Sequence, residues 1–174
     1  FFSLFSIIGF AQEEDNERSN FKFDPSKIYI GGSLGADFSS NGSFIDISPL
    51  VGYRFTEKFM AGPGLIYRYM SFNGVGAHSY GAKVFSRYFI NESVFAHAEY
   101  EYIDWQPLQI DGAGVISRAK RRQAGSLLVG GGYSSPLGES ARINIMVLLE
   151  VLNDPNSPYR NRSSPLIVRV GIGL

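Results

Sequence analysis

Apolar and polar positions alternate with a period of two along the chain from residue 27 to its end, in segments separated by turn residues. The segment 141–152 shows this most clearly, because an aliphatic residue stands at every odd position from Ile143 to Val151. Alternation of this kind predicts half-buried β-strands. Eight such segments are present, and no segment from residue 27 onward has a helical period. The predicted strands lie at 28–38, 45–55, 59–70, 80–89, 94–102, 126–133, 141–152 and 166–174.

The connections between these segments predict how the strands are arranged. Tight turns follow the second, fourth and sixth strands, and longer connections follow the others, among them an irregular stretch from Asp104 to about Lys120. An even number of strands joined in this way fits an all-β fold, an eight-stranded antiparallel up-and-down β-barrel.

The charged residues help to choose between two kinds of barrel. One face of the strands is continuously apolar, whereas the other combines glycine with isolated charges. A soluble lipocalin-like barrel that binds a small apolar ligand would place the apolar face inward, and it remains an alternative. Glycines and mixed charges are better suited to the crowded interior of a narrow barrel, so we expect a transmembrane β-barrel with its apolar face toward lipid. The charges of the second face are Asp37, Asp46, Arg54, Arg68, Lys83, Arg87, Glu99, Glu101, Arg142, Glu150 and Arg169.

Strand length and aromatic residues agree with a bacterial outer-membrane location. Strands of about ten residues match the 9 to 11 that cross the hydrocarbon layer when tilted by about 45°. Aromatic residues near the strand ends would form the two interfacial girdles. Short turns face the periplasm in such barrels, so we expect both termini there. The interfacial aromatics are Tyr53, Phe59, Tyr88 and Tyr133 beside the short turns, and Tyr67, Tyr69, Tyr100 and Tyr102, with Phe38 and Tyr80, nearer the other rim.

The first 26 residues differ from the rest. Residues 1–11 are an apolar stretch that ends in Gly9, Phe10 and Ala11, which is typical of the tail of a secretory signal peptide. Residues 12–26 carry five acidic and two basic side chains, a net charge of −3, and we expect an acidic flexible leader. The sequence is therefore divided into a signal peptide remnant at 1–11, the leader at 12–26 and an outer-membrane β-barrel at 27–174.

Composition excludes several classes of function. The 174 residues contain 16 Lys plus Arg against 16 Asp plus Glu, and no Cys. Zero net charge argues against a general nucleic-acid-binding protein, which needs a basic surface. Without Cys there is no thiol catalysis, disulfide or thiolate metal site. The spacing of His and carboxylate residues predicts no metal site, and we expect no cofactor.

Four stretches of the sequence resemble a known family. They are 47–58, which reads ISPLVGYRFTEK, together with 62–67, 127–133 and 144–148. These stretches look like the small eight-stranded outer-membrane β-barrel proteins of Bacteroidota, similar in architecture to OmpA/OmpX-type barrels. The resemblance covers about residues 27–174 and implies a porin-like fold in the cell envelope. One departure is Leu174, where barrels of this class usually have an aromatic residue.

The charges of the inner face predict a lumenal charge network. At eight strands the interior is only wide enough to be filled by side chains, so a water-filled pore is not expected. We expect the ion pairs to fill and rigidify the barrel, and the protein to be non-catalytic, with a structural, envelope-stabilising or surface-interaction role. The predicted network comprises Arg68, Lys83, Arg87, Glu99, Glu101, Arg142, Glu150 and Arg169.

An alternative function is that of a lipid A-modifying outer-membrane enzyme of the deacylase or acyltransferase type. Such an enzyme needs a nucleophile, a base and an orienting group within hydrogen-bonding reach. Only His78 and His97 could supply an imidazole base. His97 belongs to the predicted lumenal face, and His78 is placed at a loop edge without a visible acidic partner. We therefore expect no enzymatic activity and no catalytic residues.

A third possibility concerns the loops opposite the short turns. Arg118, Lys120, Arg121 and Arg122 lie where the longest loop rejoins the sixth strand and are candidates for contacts with lipid phosphates. The same loop carries Trp105, Leu108, Ile110, Val115 and Ile116, and a second loop at 153–164 carries Pro155, Pro158 and Tyr159. The expected partners are outer-membrane lipid and lipopolysaccharide, and a protein partner through the outer loops, but no nucleic acid.

Overall fold

The fold is described by a computed structural model, which covers residues 23–40, 42–152, 154–160 and 166–174. Within these ranges, the side chains of residues 37–39 are not described. The predicted signal peptide remnant at 1–11, and the leader up to residue 22, lie outside the described residues, so both stay predictions.

Eight strands form a closed antiparallel barrel in which each strand pairs with its neighbours along the chain, and the first pairs with the last. The predicted all-β, eight-stranded up-and-down barrel is confirmed. The barrel strands are β1 (Ile28–Ser39), β2 (Gly42–Arg54), β3 (Phe59–Phe72), β4 (Val75–Phe89), β5 (Val94–Trp105), β8 (Arg122–Leu137), β9 (Ala141–Glu150) and β10 (Leu166–Gly173). Two further strands, β6 (Leu108–Ile110) and β7 (Ile116–Arg118), pair only with each other.

The two ends of the barrel differ in their connections. The short-turn end holds the turns at 55–58, 90–93 and 138–140, as predicted, together with the start of β1 and the end of β10. At the opposite loop end, the expectation of uniformly long connections is wrong. β1 and β2 pair as far as Ser39 and Gly42, and β3 turns into β4 through Asn73 and Gly74, which have φ values of 46° and 81°. Positive φ at both central residues is characteristic of a type I′ hairpin turn, which Asn-Gly favours.

The stretch from Asp104 to Lys120, expected to be irregular, contains a small hairpin. Leu108 pairs with Arg118 and Ile110 with Ile116, so β6 and β7 extend from the loop end. At the hairpin tip, the Asp111 carboxylate accepts hydrogen bonds from the backbone N–H groups of Ala113 and Val115 at 2.9 and 2.8 Å. These bonds replace ladder bonds and order the turn.

Side chains alternate across the barrel wall as the sequence pattern predicts. Along β9, Ile145, Val147 and Leu149 are exposed outside, whereas Asn144, Met146 and Leu148 are buried inside. The interior alternates small and large residues: a Cβ added to Gly52 would lie 3.0 Å from the ring of Phe85. The barrel is therefore filled by side chains rather than open.

A 3₁₀ turn at Pro25–Lys27 leads into β1. The Asp24 carboxylate accepts hydrogen bonds from the hydroxyl and the backbone N–H of Ser26 at 2.7 and 3.0 Å, and these bonds lower the pKa of Asp24. Within the described residues, no helix has the length and apolarity needed to cross a bilayer.

Candidate functional site in the barrel interior

Glu99 on β5 occupies the middle of the barrel interior and contacts three basic side chains. Lys83 Nζ from β4 donates to Glu99 Oε2 at 3.2 Å, and His97 Nε2 lies 3.3 Å from the same oxygen. Arg169 from β10 pairs with the other carboxylate oxygen, Oε1. Because Glu99, Lys83 and His97 are all buried, these contacts take the place of solvent around the carboxylate.

Glu101, two residues further along β5, forms the second half of the cluster. Its carboxylate accepts from Arg169 Nη2 at 2.8 Å and from the Tyr159 hydroxyl at 2.6 Å. Arg68 Nη2 on β3 lies 3.5 Å away, and Arg68 Nε pairs with Asp46 on β2 at 2.5 Å. Arg169 therefore bridges the two glutamates, and Arg68 links Glu101 to Asp46.

The interior charges balance one another. Asp46, Glu99 and Glu101 carry three negative charges, and Arg68, Lys83 and Arg169 carry three positive charges. We call these six residues, together with His97 and Tyr159, the lumenal cluster. A buried charge without a partner is strongly destabilising, whereas a balanced and hydrogen-bonded set is tolerated. The six charges of the cluster therefore sum to zero, and Arg87, which is also buried, stands outside this balance.

Tyr159 enters the cluster from the loop between β9 and β10. Its hydroxyl donates to Glu101 and accepts from Arg68 Nη2 at 2.5 Å and Arg169 Nη2 at 3.0 Å. The Arg68 guanidinium also lies 5.3 Å from the centre of the Tyr159 ring. Burial, reinforced by the Glu101 carboxylate, raises the pKa of the Tyr159 hydroxyl. The loop is thus anchored to the barrel interior by one side chain.

Three residues of the predicted charge network do not join these ion pairs. Among the described residues, Arg87 has no carboxylate at ion-pair distance; its guanidinium lies 4.3 Å from the centre of the Phe95 ring and donates to Met146 Sδ at 3.7 Å. Arg142 lies at the short-turn end and donates to Ser134 and to the Glu92 carbonyl. One oxygen of Glu150 is buried without a partner. All three belong to the inner face, as alternation predicts, but none makes an ion pair with the cluster; Arg87 lies directly opposite His97 in the β4–β5 register and contacts Phe95 and Met146 instead.

Three members of the lumenal cluster were absent from the predicted network: Asp46, His97 and Tyr159. Asp46 was assigned to the inner face, and its pairing with Arg68 follows from the β2–β3 register, in which the two residues are directly opposite. His97 precedes Glu99 by two residues on β5, so the alternation of side chains already places both on the inner face. Tyr159 lies in a loop, where no periodic pattern indicates the direction of a side chain.

The predicted lipid-phosphate contacts divide into two groups. Arg118 Nε donates to the Gly76 carbonyl at 2.5 Å, and Arg121 pairs with Asp104 and donates to the His78 carbonyl at 3.1 Å. Both arginines therefore attach the long loop to the barrel rim. Lys120 and Arg122 are exposed, and no side-chain hydrogen bond involves them within the described part of the chain. Contact of any of the four with a lipid phosphate stays a prediction.

The predicted interfacial aromatics lie on the outer surface. Tyr88 and Tyr133 are half exposed near the short-turn end, and Tyr100 and Tyr102 are exposed further toward the loop end. Phe59 is exposed at the start of β3, whereas Tyr53, Tyr67 and Tyr69 are half-buried against neighbouring rings. Along β4, Tyr80 and Tyr88 are eight residues apart, which corresponds to about 26 Å at about 3.3 Å per residue.

The two histidines lie in different surroundings. His97 is enclosed in the lumen beside Glu99 and the Phe85 ring, and its Nδ1 atom is buried without a partner. His78 was expected at a loop edge, but it lies within β4, where its Nδ1 atom is 3.1 Å from the Tyr67 hydroxyl. Among the described residues, no serine or threonine hydroxyl bonds to either imidazole, and no group of three or more His, Asp or Glu is arranged to hold a metal ion.

These features define a closed eight-stranded barrel with an apolar outer surface and an interior filled by paired charges. No protein-family model and no curated protein matches the sequence. Among solved structures, the chain is similar to the crystal structure of the N-terminal β-barrel domain of Pseudomonas aeruginosa OprF, with a TM-score of 0.49 and 11% sequence identity. The match covers 84% of this chain and 96% of the OprF domain.

Proposed function

We propose that this protein is an integral β-barrel of the bacterial outer membrane, with a non-catalytic role that is structural, envelope-stabilising or based on surface interaction. The observation that carries the proposal is the direction of the side chains. Leu65, Val84 and Val168 on three different strands are exposed by 58 to 66%, while Glu99 and Glu101 are buried. In water this arrangement would expose a large apolar surface and bury charges, whereas in a bilayer both groups of residues have suitable surroundings.

The soluble lipocalin-like alternative requires the opposite orientation, with the apolar rows inside and the charges outside. The Ile145 and Val147 row instead faces outward and is more than 40% exposed. The lipid A-modifying alternative lacks support because, among the described residues, no serine or threonine hydroxyl bonds to either imidazole. We also propose kinship with the small Bacteroidota barrels, which rests on the sequence motifs alone.

A direct test of membrane insertion is the migration of detergent-extracted protein in gels, with and without boiling. A closed membrane barrel resists detergent until it is heated and then changes its migration. We expect unboiled protein to migrate differently from boiled protein, and a variant with Val147→Asp and Val168→Asp to lose this difference. Matched Glu139→Asp and Glu57→Asp substitutions at the exposed turns should leave it unchanged. Identical migration of boiled and unboiled native protein would contradict the proposal.

Orientation can be tested by cysteine labelling, since the native chain has no Cys. We propose that the short-turn end, and hence both termini, faces the periplasm. Gly112→Cys at the loop end should react with a membrane-impermeant maleimide in intact cells. Glu139→Cys at the short-turn end should react only after the outer membrane is permeabilised, and the reverse pattern would refute the orientation.

For the role itself, we expect the filled interior to prevent conduction. Purified protein in planar bilayers should show no stable ion conductance, because the lumenal cluster occupies the interior from Asp46 on β2 to Arg169 on β10. Steady channel currents from the native protein would favour a pore function instead. The β6–β7 hairpin, with Ile110 and Val115 exposed by 65% and 58%, supports the surface-interaction variant of the role.

A further inference from the structure

The seam between β1 and β10 is the least complete junction of the barrel. Three residue pairs, from Gly31–Gly173 to Ser33–Gly171, and two backbone hydrogen bonds between Ile30 and Leu174 join these strands within the described ranges. The other seven junctions of the barrel have between eight and fourteen pairs each. The barrel is therefore closed at the short-turn end of this seam, and the two strands part toward the loop end.

Both strands continue beyond the last pair. Extending the register would place Leu34 opposite Val170, Gly35 opposite Arg169 and Ala36 opposite Val168, but none of these pairs is formed. On their other sides, β1 still pairs with β2 and β10 with β9. Each strand therefore presents one open edge at the seam. Open edges are unfavourable in hydrocarbon, where water cannot satisfy the free N–H and C=O groups.

A cavity of about 490 Å³ lies at this open part of the seam. Its wall includes outward-facing Leu34, Val168 and Val170, and also Arg68 and Arg169 of the lumenal cluster. The cavity therefore joins the outer surface of the barrel to its charged interior. Its volume falls in the range of about 300–1,000 Å³ that is typical of sites for small molecules.

A second depression continues from this cavity along the outside of the seam. It has a volume of about 290 Å³ and is almost wholly apolar. Leu34 and Val170 line both spaces, and Gly31, Gly32 and Gly171 also line the outer one, where outward-facing Gly32 has no side chain to fill it. A Cβ at Gly171 would lie 2.6 Å from the Gly32 carbonyl oxygen, so the close strand approach at this place requires glycine. The result is a continuous apolar channel that leads to a polar end.

The polar end offers a guanidinium donor to an anionic head. Its wall carries two guanidinium groups, Arg68 and Arg169, against one carboxylate, Asp46. Both oxygens of Asp46 already accept hydrogen bonds, from Arg68 and from Ser48. Arg68 Nη1, in contrast, makes no hydrogen bond among the described residues and can donate to a ligand. Guanidinium groups bind carboxylates and phosphates particularly well.

We propose that the β1–β10 seam is a lateral binding site for a single-chain amphiphile with an anionic head, such as a fatty acid or an alkyl phosphate. The alkyl chain lies in the outer apolar depression and the head reaches Arg68 through the open part of the seam. The site rests on the proposed function, since the amphiphile enters from the membrane. The proposed site gives the lumenal cluster a role in ligand binding in addition to filling the barrel.

The single tryptophan provides a direct reporter. Trp105 lines the seam cavity, where its indole N–H donates to the Asn156 carbonyl at 2.8 Å. Protein in nanodiscs of unbrominated lipid would be titrated with 2-bromododecanoic acid, whose bromine lies beside the head, in the cavity that Trp105 lines, and quenches indole fluorescence. The comparison probes are 2-bromododecan-1-ol, which lacks the anionic head, and sodium bromoacetate, which lacks the alkyl chain. We expect saturable quenching by the acid, at least about tenfold weaker binding of the alcohol and no saturable quenching by bromoacetate.

The matched variants are Gly35→Leu and Gly112→Leu. A Cβ at Gly35 would meet only ordinary contacts, at 3.6 Å from Asp46 Cβ and 4.0 Å from the Phe44 ring, so a leucine there fills the seam cavity without displacing backbone. At Gly112, on the exposed loop, nothing lies within 4 Å of an added Cβ. Gly35→Leu should weaken binding of the acid about tenfold or more, and Gly112→Leu should leave it unchanged.

Several results would overturn the proposal. Equal, non-saturating quenching in the native protein and Gly35→Leu would show partition into the bilayer only. Equal affinity for the acid and the alcohol would show that the anionic head does not contribute to binding. Disulfide formation between two copies of Val168→Cys would show that a second chain occupies the seam. In each case heat-modifiable migration of the same samples separates loss of the site from failure of the barrel itself.

Discussion

Replacing Glu101 by glutamine tests whether charge balance holds the barrel interior together. The substitution keeps the shape of a side chain that is completely buried, but it leaves three cations facing two anions in the lumenal cluster. Glu101 accepts from Arg169 at 2.8 Å and from Tyr159 at 2.6 Å, and an amide cannot replace the charge at either contact. Breaking a buried ion pair on one side destabilises a protein by about 3–5 kcal/mol. We expect Glu101→Gln to lower the free energy of unfolding by that amount.

The measurement is urea unfolding of the barrel in lipid vesicles, followed by the fluorescence of Trp105. Glu139→Gln serves as the control, because Glu139 is exposed at a short turn and its replacement should change stability by less than about 0.5 kcal/mol. A Glu101→Gln, Arg169→Gln double variant restores balance, since Asp46 and Glu99 keep Arg68 and Lys83.

We expect the double variant to be less destabilised than the sum of its two single variants, with a coupling energy of about 0.5–3 kcal/mol. The reasoning is refuted if the free energies of unfolding of Glu101→Gln and of the Glu139→Gln control agree to within about 0.5 kcal/mol. Strict additivity in the double variant would show that the two side chains act independently, and the cluster would then be a set of separate contacts.

Three further substitutions test the exterior, the loop anchor and the strand packing by the same unfolding measurement. Val147→Arg places a charge on the outer face of β9, where Val147 is 44% exposed, and should cost about 2–4 kcal/mol if this face meets the middle of a bilayer. Tyr159→Phe removes a buried hydroxyl with three partners and should cost about 1–3 kcal/mol. Because the pKa of Tyr159 is raised on folding, native stability should also decline as the pH rises above about 10, and Tyr159→Phe should lessen that decline. Gly62→Ala should cost about 1–3 kcal/mol, because an added Cβ would lie 2.7 Å from the Cα atom of Gly52.

Each of these substitutions has a control and a result that contradicts it. Val147→Leu keeps the outer face apolar and should be nearly neutral; equal effects of Arg and Leu would mean that no lipid contacts this position. An unchanged pH profile in Tyr159→Phe would indicate that folding does not raise the pKa of the Tyr159 hydroxyl. Gly112→Ala, with open space around the added methyl group, should not lose stability, and a similar loss in both glycine variants would show that the contact with Gly52 is not the cause of the loss at Gly62.

Corrections to the sequence-based predictions concern positions where alternation carries no information. The inward direction of Arg87 follows from its place in β4, but its contact with the Phe95 ring depends on how far β4 and β5 are shifted against each other. The β3–β4 hairpin extends beyond the predicted strand ends because Asn73 and Gly74 form a tight turn. The Asn-Gly pair signals such a turn in the sequence, but the predicted strands end earlier because the alternation of apolar and polar residues is weak on both sides of it. β6 and β7 are too short for a period of two to be recognised.

The sequence by itself determined the number of barrel strands, the face that each side chain occupies and the identity of the short turns. It could do so because the side chains of a strand alternate between two sides, so that a solvent preference repeated every second residue is sufficient. Only the tertiary structure decided which charges pair, that Tyr159 closes the cluster from a loop, and that β1 and β10 part beyond Ser33. These features depend on strand register and barrel closure, which bring together residues far apart in the chain and which no local pattern encodes.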